Sequence, residues 1–352
     1  MHNFYSDVIT FKGSHYDFGY KQGELLKKSP ILSNREKQCA KQRRRHFNIN
    51  KQEALILFEQ YMPNMLAELR GLADALHWTM EEALREFGGY YIEYERSGCS
   101  ILTGTNYMVR NYDSHPAFYE GRYVIYQPTD GGYASIGPSM QITGRTDGIN
   151  EKGLAMGYNF INRVRSEDGY LCNMISRMIL ETCANIEEAI ALLRVIPHRT
   201  AFNYVLIDSS GETYVVEASP RKVIARQANV STNHFDVLLE ENRYRTDDSM
   251  RRYNILSDKQ HEDLDMFAAY QLLNNEEHDI FSKKYDASAG TIHTSAYLPE
   301  ERRALYTIGG NRMPVVFDLN QFLAVGNIMV KQIKGVLQYN RPFVNMEKIN
   351  VS

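Results

Sequence analysis

A chain of 352 residues, 43% of them hydrophobic, is long enough for one large domain or two and for a sizeable core. Its 40 Lys and Arg set against 43 Asp and Glu leave a net charge of −3, which gives no global electrostatic case for nucleic acid or membrane. No apolar run approaches a membrane span, and MHNFYSDVITFKG lacks a basic start followed by an apolar core, so no secretory leader is expected. Cys39, Cys99, Cys172 and Cys183 show no CxxC spacing, and free thiols in a cytoplasmic protein are the expectation.

The first third reads as helical. HYDFGYKQGELLKK and the run KQEALILFEQYMPNMLAELRGLADALHWTMEEALREF place apolar residues three and four apart among helix-favouring Glu, Leu, Ala and Lys. Pro63 should bend or interrupt the longer run, and Thr79 with Glu82 reads as a capping box. The basic run 35–53 reads as a solvated helix face or linker, because no aromatic residues alternate with its charges.

From about residue 97 the texture changes to short β-rich runs. CSILTGTNYMVRNYD predicts two strands joined at a turn containing Gly104. RYVIYQP, YASIGP, QITGRTDGINEKGLAMGYNFI, FNYVLIDSSGETYVVEASP and RKVIARQANVSTNH continue in the same way, broken by Gly-, Asp- and Asn-containing turns. Two helices, in YLCNMISRMILETC and IEEAIALLRVI, interrupt the strands, and a third is expected within 263–274. GTIHTSAYLPEERRALYTIG predicts a final hairpin. Strand runs beside paired helices imply antiparallel sheets with helices outside them, an α+β layered domain.

The sequence has no GxxxxGK[ST] loop, no GxGxxG, no HExxH and no GxSxG, so no cofactor or metal is expected and the nucleophile candidates narrow to Cys99 and hydroxyls. Cys99 follows Gly98. If that bond is cut, Cys99 gains a free α-amine, which titrates near about 7.7–8.0 and can take the thiol proton at neutral pH. One residue then supplies both nucleophile and base. The thiol itself can make the cut by attacking the Gly98 carbonyl, with water resolving the thioester. A hairpin at Gly104 brings Arg110 and Asp113 back to Cys99: Asp113 to hold the amine, Arg110 to favour the thiolate. The competing reading is a buried, inert cysteine beside a solvated turn.

The ordered segments YDFGYKQGELLKK, LRGLADALHWTMEEAL, SGCS, RNYD, GINEKGLAMGYNFI, YVVEASP and STNH resemble an N-terminal-nucleophile (Ntn) hydrolase. The similarity is to the branch of acyl-CoA:isopenicillin N acyltransferase, with choloylglycine hydrolase, penicillin V acylase and acid ceramidase more distant. The resemblance implies a four-layer αββα sandwich, with 1–98 as a helical propeptide or small chain and 99–352 as the catalytic domain. It implies Cys99 as the nucleophile exposed by autocatalysis and Asp113 as the residue that binds the freed amine. Arg110 matches the arginine of the hydrolases; the acyltransferase lacks it, which tilts the expectation toward hydrolysis of a linear, non-peptide amide. Asn233 matches an oxyanion-hole asparagine, Asn159 a second one in a strand about one residue shorter than in the bile-salt hydrolases, and Arg252, preferred to Arg251, a late arginine near the site. His115 and His234 are left without a role. The implied partner is a small acyl amide or acyl thioester, with no nucleic acid or membrane, and a homo-oligomer is left open. An acyl-CoA-dependent N-acyltransferase and an uncleaved, inactive relative that binds an acylated ligand are the alternatives.

Overall fold

The computed structural model describes residues 2–41, 51–90, 98–162, 166–243, 247–260, 262 and 264–347. Residues 42–50 of the basic run and 94–97 ahead of Gly98 lie outside them. The chain opens with β1 (His2–Gly13) and five helices, α1 (His15–Lys27), α2 (Ile31–Lys41), α3 (Lys51–Tyr61), α4 (Pro63–Leu76) and α5 (Met80–Phe87). Seven strands follow: β2 (Cys99–Gly104), β3 (Tyr107–Ser114), β4 (Arg122–Pro128), β5 (Ser135–Met140), β6 (Gly144–Arg145), β7 (Asp147–Asn150) and β8 (Ala155–Phe160). Helices α6 (Cys172–Thr182) and α7 (Ile186–Val195) precede β9 (Phe202–Ile207), β10 (Thr213–Ala218), β11 (Val223–Gln227) and β12 (Val230–Ser231). Then come α8 (Asp247–Gln260), α9 (Met266–Asn274), β13 (Lys283–Lys284), β14 (Ala289–Leu298), β15 (Arg303–Ile308), β16 (Val315–Asp318), α10 (Leu319–Val325) and β17 (Gln332–Leu337).

Local chemistry explains several boundaries. Pro63 does not kink a helix; it starts α4, where its missing N–H costs nothing. Thr79 and Glu82 form the expected capping box, with Glu82 N–H donating to Thr79 Oγ1 at 3.2 Å and Thr79 N–H to Glu82 Oε2 at 2.7 Å. Gly19 in the YDFGYKQG segment lets α1 lie directly on α4, since a Cβ there would stand 1.9 Å from the Glu68 carbonyl oxygen.

Two sheets form the centre. The larger runs β11-β10-β9-β8-β7-β5-β4-β1-β17 with β6 on β5; the smaller runs β12-β2-β3-β14-β15-β16 with β13 on β14. Among these strands every pairing is antiparallel except that of β1 with β4, where Asp7 faces Arg122. Helices α6 and α7 lie against the larger sheet, α8 and α9 against the smaller, and β2 meets β8 between them. The main core holds Cys99, Ile101, Tyr112, Ile136 and Tyr158 from the two sheets, and a second core holds Leu102, Val109, Leu256, Ala269 and Leu273 under α8 and α9. Period-2 alternation on β2 and β3 thus sends Cys99, Ile101 and Tyr112 between the sheets and Leu102 and Val109 toward the helices.

The layered α+β reading stands. Unforeseen were β1, which makes the first third more than helical, α8, and the β16–α10–β17 stretch after the hairpin expected to be last.

Candidate active site

The β2–β3 hairpin sets the site. Its register pairs Cys99 with Tyr112 and Ile101 with Arg110. Cys99 is fully buried, and its polar atoms are engaged on several sides. Arg110 Nη2 donates to Cys99 Sγ at 3.5 Å. The Cys99 N–H donates to Asn233 Oδ1 at 2.9 Å, and Arg252 Nη1 donates to the Cys99 carbonyl at 2.7 Å. One peptide back, the Gly98 carbonyl accepts from the Asp113 N–H at 2.9 Å. Gly98 is not among the described residues with positive φ, so no left-handed strain sits at this peptide. A Cβ on it would stand 3.0 Å from Asp113 Oδ2.

Burial pushes the Cys99 thiol above its ordinary pKa, with Arg110 pulling in the opposite direction. Burial also opposes the Arg110 charge, but Cys99 and Asp147 more than offset it and the guanidinium stays charged. It donates from Nη1 to Asp147 Oδ1 at 2.6 Å and to the Thr146 carbonyl at 2.9 Å, and from Nη2 to the Tyr158 carbonyl at 2.5 Å. The rings of Tyr112 and Tyr158 lie 4.9 and 4.8 Å from the guanidinium carbon, a cation–π contact on each. Gly157 makes room for the arginine, because a Cβ there would lie 3.0 Å from Arg110 Cδ. Asp113 accepts from Thr291 Oγ1 at 2.7 Å, and burial pushes its carboxyl up to about 7 against the pull of Arg252 and this hydrogen bond.

Arg252 on α8 spans the site. Besides Cys99 it donates to Ser100 Oγ at 2.7 Å, to Asn233 Oδ1 at 2.9 Å and to Asp248 Oδ2 at 2.9 Å. Arg251 points away to Asp248 and Asp279. Asn233 turns its acceptor end to Cys99 and Arg252, while its Nδ2 donates to the Phe160 carbonyl at 2.9 Å. Asn159, on β8, shares a face with Gly157 and is fully buried, and neither of its amide atoms has a hydrogen-bond partner among the described residues. The structure therefore gathers Cys99, Arg110, Asp113, Asn233 and Arg252 by direct bonds or adjacent peptides, and leaves Asn159 on the facing strand without a bond to them.

Sequence reasoning missed the brace around Asn233. Asn203, opposite Asn159 on β9, donates to the carbonyls of Thr232 and His234 at 3.2 and 2.8 Å, one on each side of Asn233. Ser249 Oγ accepts the Asn233 N–H at 2.8 Å and is bonded to Thr232 Oγ1 and His234 Nδ1. His234 Nε2 stands 3.1 Å from Asp236 Oδ1, so this histidine, left without a role in the sequence, props the loop. His115 instead accepts from the Ala117 N–H and meets the Tyr339 hydroxyl. Among the described residues no group of His, Cys, Asp or Glu is arranged to hold a metal, and Cys99, Cys172 and Cys183 are free thiols.

Residues 102–313 match the family described as acyl-coenzyme A:6-aminopenicillanic acid acyl-transferase. No curated protein is matched in sequence. Among solved structures, the chain is similar to a mutant of the conjugated bile acid hydrolase from Clostridium perfringens (16% identity, TM-score 0.46, 70% of this chain and 98% of that one). It is similar also to penicillin V acylase from Agrobacterium tumefaciens (14% identity, TM-score 0.42, 64% and 86%). A third is the Caenorhabditis elegans ortholog of N-acylethanolamine-hydrolyzing acid amidase (10% identity, TM-score 0.38, 57% and 92%).

Proposed function

The chain belongs to the acyl-coenzyme A:6-aminopenicillanic acid acyl-transferase family of Ntn acyltransferases and amidases, and from that premise we propose that it matures by cutting itself between Gly98 and Cys99 and then hydrolyses a linear amide through Cys99. The observation that carries this reading is the convergence of Arg110 on the Cys99 sulfur with Asn233 and Arg252 on its backbone. In the self-cleavage, Sγ attacks the Gly98 carbonyl carbon, the C–N bond to Cys99 breaks, and the Cys99 nitrogen leaves as an amine. Water then hydrolyses the thioester to a Gly98 carboxylate. The Asp113 N–H on the Gly98 oxygen is a donor suited to the charge that develops there.

In turnover the freed amine takes the thiol proton and passes it to the leaving amine of the substrate, leaving an acyl thioester on Cys99 for water to resolve. Asp113, whose own N–H bonds the Gly98 carbonyl, is the residue assigned to hold the new ammonium. Asn159 is the candidate oxyanion donor, because a fully buried amide without a partner suits an acceptor that appears only during reaction. The family description favours a second reading, in which an acyl-CoA thioester is the donor and an amine the acceptor.

Intact mass tests the cut. Purified protein should give two fragments in place of one 40.7 kDa chain, and Cys99→Ala should stay whole. An active wild-type protein of one uncut chain would defeat the maturation reading. Amide turnover in water without any thioester or amine favours hydrolysis; turnover that requires both favours the acyltransferase.

A further inference from the structure

Asp147 lies at the start of β7 and reaches Arg110 from the opposite sheet. It is fully buried and surrounded by donors. Its Oδ1 accepts from Arg110 Nη1 at 2.6 Å and Thr146 Oγ1 at 2.5 Å; its Oδ2 accepts from the Tyr297 hydroxyl at 2.8 Å and from the Ser295 hydroxyl. His293 Nε2 stands 3.4 Å from Oδ1. Burial alone would raise this carboxyl, but Arg110, His293 and Ser295 hold it well below the usual range, so it stays ionised.

We propose that Asp147 is a positioning residue for the nucleophile, one that fixes the Arg110 guanidinium against Cys99 and limits the positive charge the sulfur meets. The argument rests on the reading of Cys99 as the nucleophile. The two ends of one planar guanidinium do different things here: Nη1 is held by Asp147 and Nη2 faces Sγ, so the carboxylate sets the direction of the fork. The charges matter as well. Arg110 paired with Asp147 presents the thiol with a nearly neutral ion pair, whereas Arg110 alone would present a full buried cation. An α-amine base has work to do only on a thiol that still carries its proton. Asp147 keeps that proton on sulfur until the amine takes it. The carbonyls of Thr146 and Tyr158 would still hold Arg110 if the carboxylate lost its charge.

The test uses the full-length cut protein and reads the Cys99 thiolate by its ultraviolet absorbance against pH, relative to the same cut protein alkylated at Cys99, with the rate of alkylation by iodoacetamide as a second readout. Asp147→Asn should lower the titration midpoint by about one unit, about tenfold more thiolate on the acid side. Tyr297→Phe, which removes a donor that disperses the carboxylate charge, should move the midpoint the other way by a smaller amount. A structural defect would not give opposite signs. A midpoint in Asp147→Asn equal to or above wild type overturns the proposal. Should that variant fail to fold, Tyr297→Phe and Ser295→Ala decide, and unchanged midpoints in both overturn it. A wild-type chain that is never cut defeats the underlying reading and takes the proposal with it, an outcome intact mass separates from the others.

Discussion

Asp113 sits in an environment that, under the proposed cleavage, would suit the product better than the uncut chain. With its carboxyl raised to about 7 by burial, the folded, uncut protein prefers the neutral acid. The sign follows from the raised value: this group's contribution to stability is full below the unfolded pKa, about 3.9, and is lost as pH rises toward 7. In a Cys99→Ala background, which holds the chain uncut under the proposed mechanism, urea unfolding should show a few kcal/mol lost across that window. Asp113→Asn in the same background should remove that part of the pH dependence, and identical profiles would refute the assignment. At this scale the proximity of Cys99, Arg110 and Asp113 in the candidate site was legible, since they lie within one hairpin and their spacing brings them together. Asp147, Ser249 and Asn203 were not. Asp147 meets Arg110 from 37 residues away, Ser249 meets Asn233 from 16 and Asn203 meets Thr232 from 29, and no local pattern marks these pairs.

The strand-to-helix loop after β12 shows what an element contributes. Asn233 reaches Cys99 only because its loop is fastened to β9 by Asn203 and to α8 by Ser249. Glu217 on β10 adds a further anchor, accepting the backbone N–H groups of Asp236, Val237 and Leu238 together with Arg226 Nε. Ser249→Ala leaves the partly buried Asn233 N–H without its acceptor, which should cost about 1 kcal/mol of stability by urea denaturation. It should also slow cleavage at Gly98 more than Ser33→Ala, a hydroxyl change on α2 away from the site. Equal cleavage rates in the two variants would show that the loop needs no such brace. Helix α8 itself escaped the sequence reading because DDSMRRYNILSDKQ is too polar to show a clear apolar stripe: only Ser249, Arg252 and Leu256 are buried along it. Part of its small buried face is Arg252, a residue of the candidate site.

At the scale of the whole molecule, the first 98 residues are joined to the rest by charge as well as by strand pairing. His15 on α1 is fully buried, with Nδ1 2.6 Å from Asp130 and Nε2 against Glu181, while Arg177 pairs with Glu181 at 2.6 Å and with Glu68 on α4 at 2.8 Å. Burial lowers the His15 pKa, but Glu181 and Glu68 raise it further, to a net increase. The contribution of His15 is therefore full below about 6.5 and is lost as pH rises through its folded value. His15→Gln should cost about 3–5 kcal/mol at pH 6, measured by urea denaturation, and less at alkaline pH. A loss independent of pH would contradict a charged His15. The layered class was readable because the β-rich runs and their turns are local signals. Strand β1 was not: its partners begin at Arg122 and Gln332, and HNFYSDVITFKG alone does not announce them.

Strand β1 has neighbours on both sides, β4 and β17. Removing it would bare an edge of β4 and part the outermost strand, β17, from the larger sheet. A break before Cys99 therefore severs the polypeptide without separating its parts. Denaturing electrophoresis would report two species and native mass a single one. The piece 99–352 made by itself would be a sheet with a slot in it, prone to pair with any available strand. Supplied with 1–98 as a separate chain, it should regain its solubility, so the two pieces would behave as a protein that can be assembled from halves.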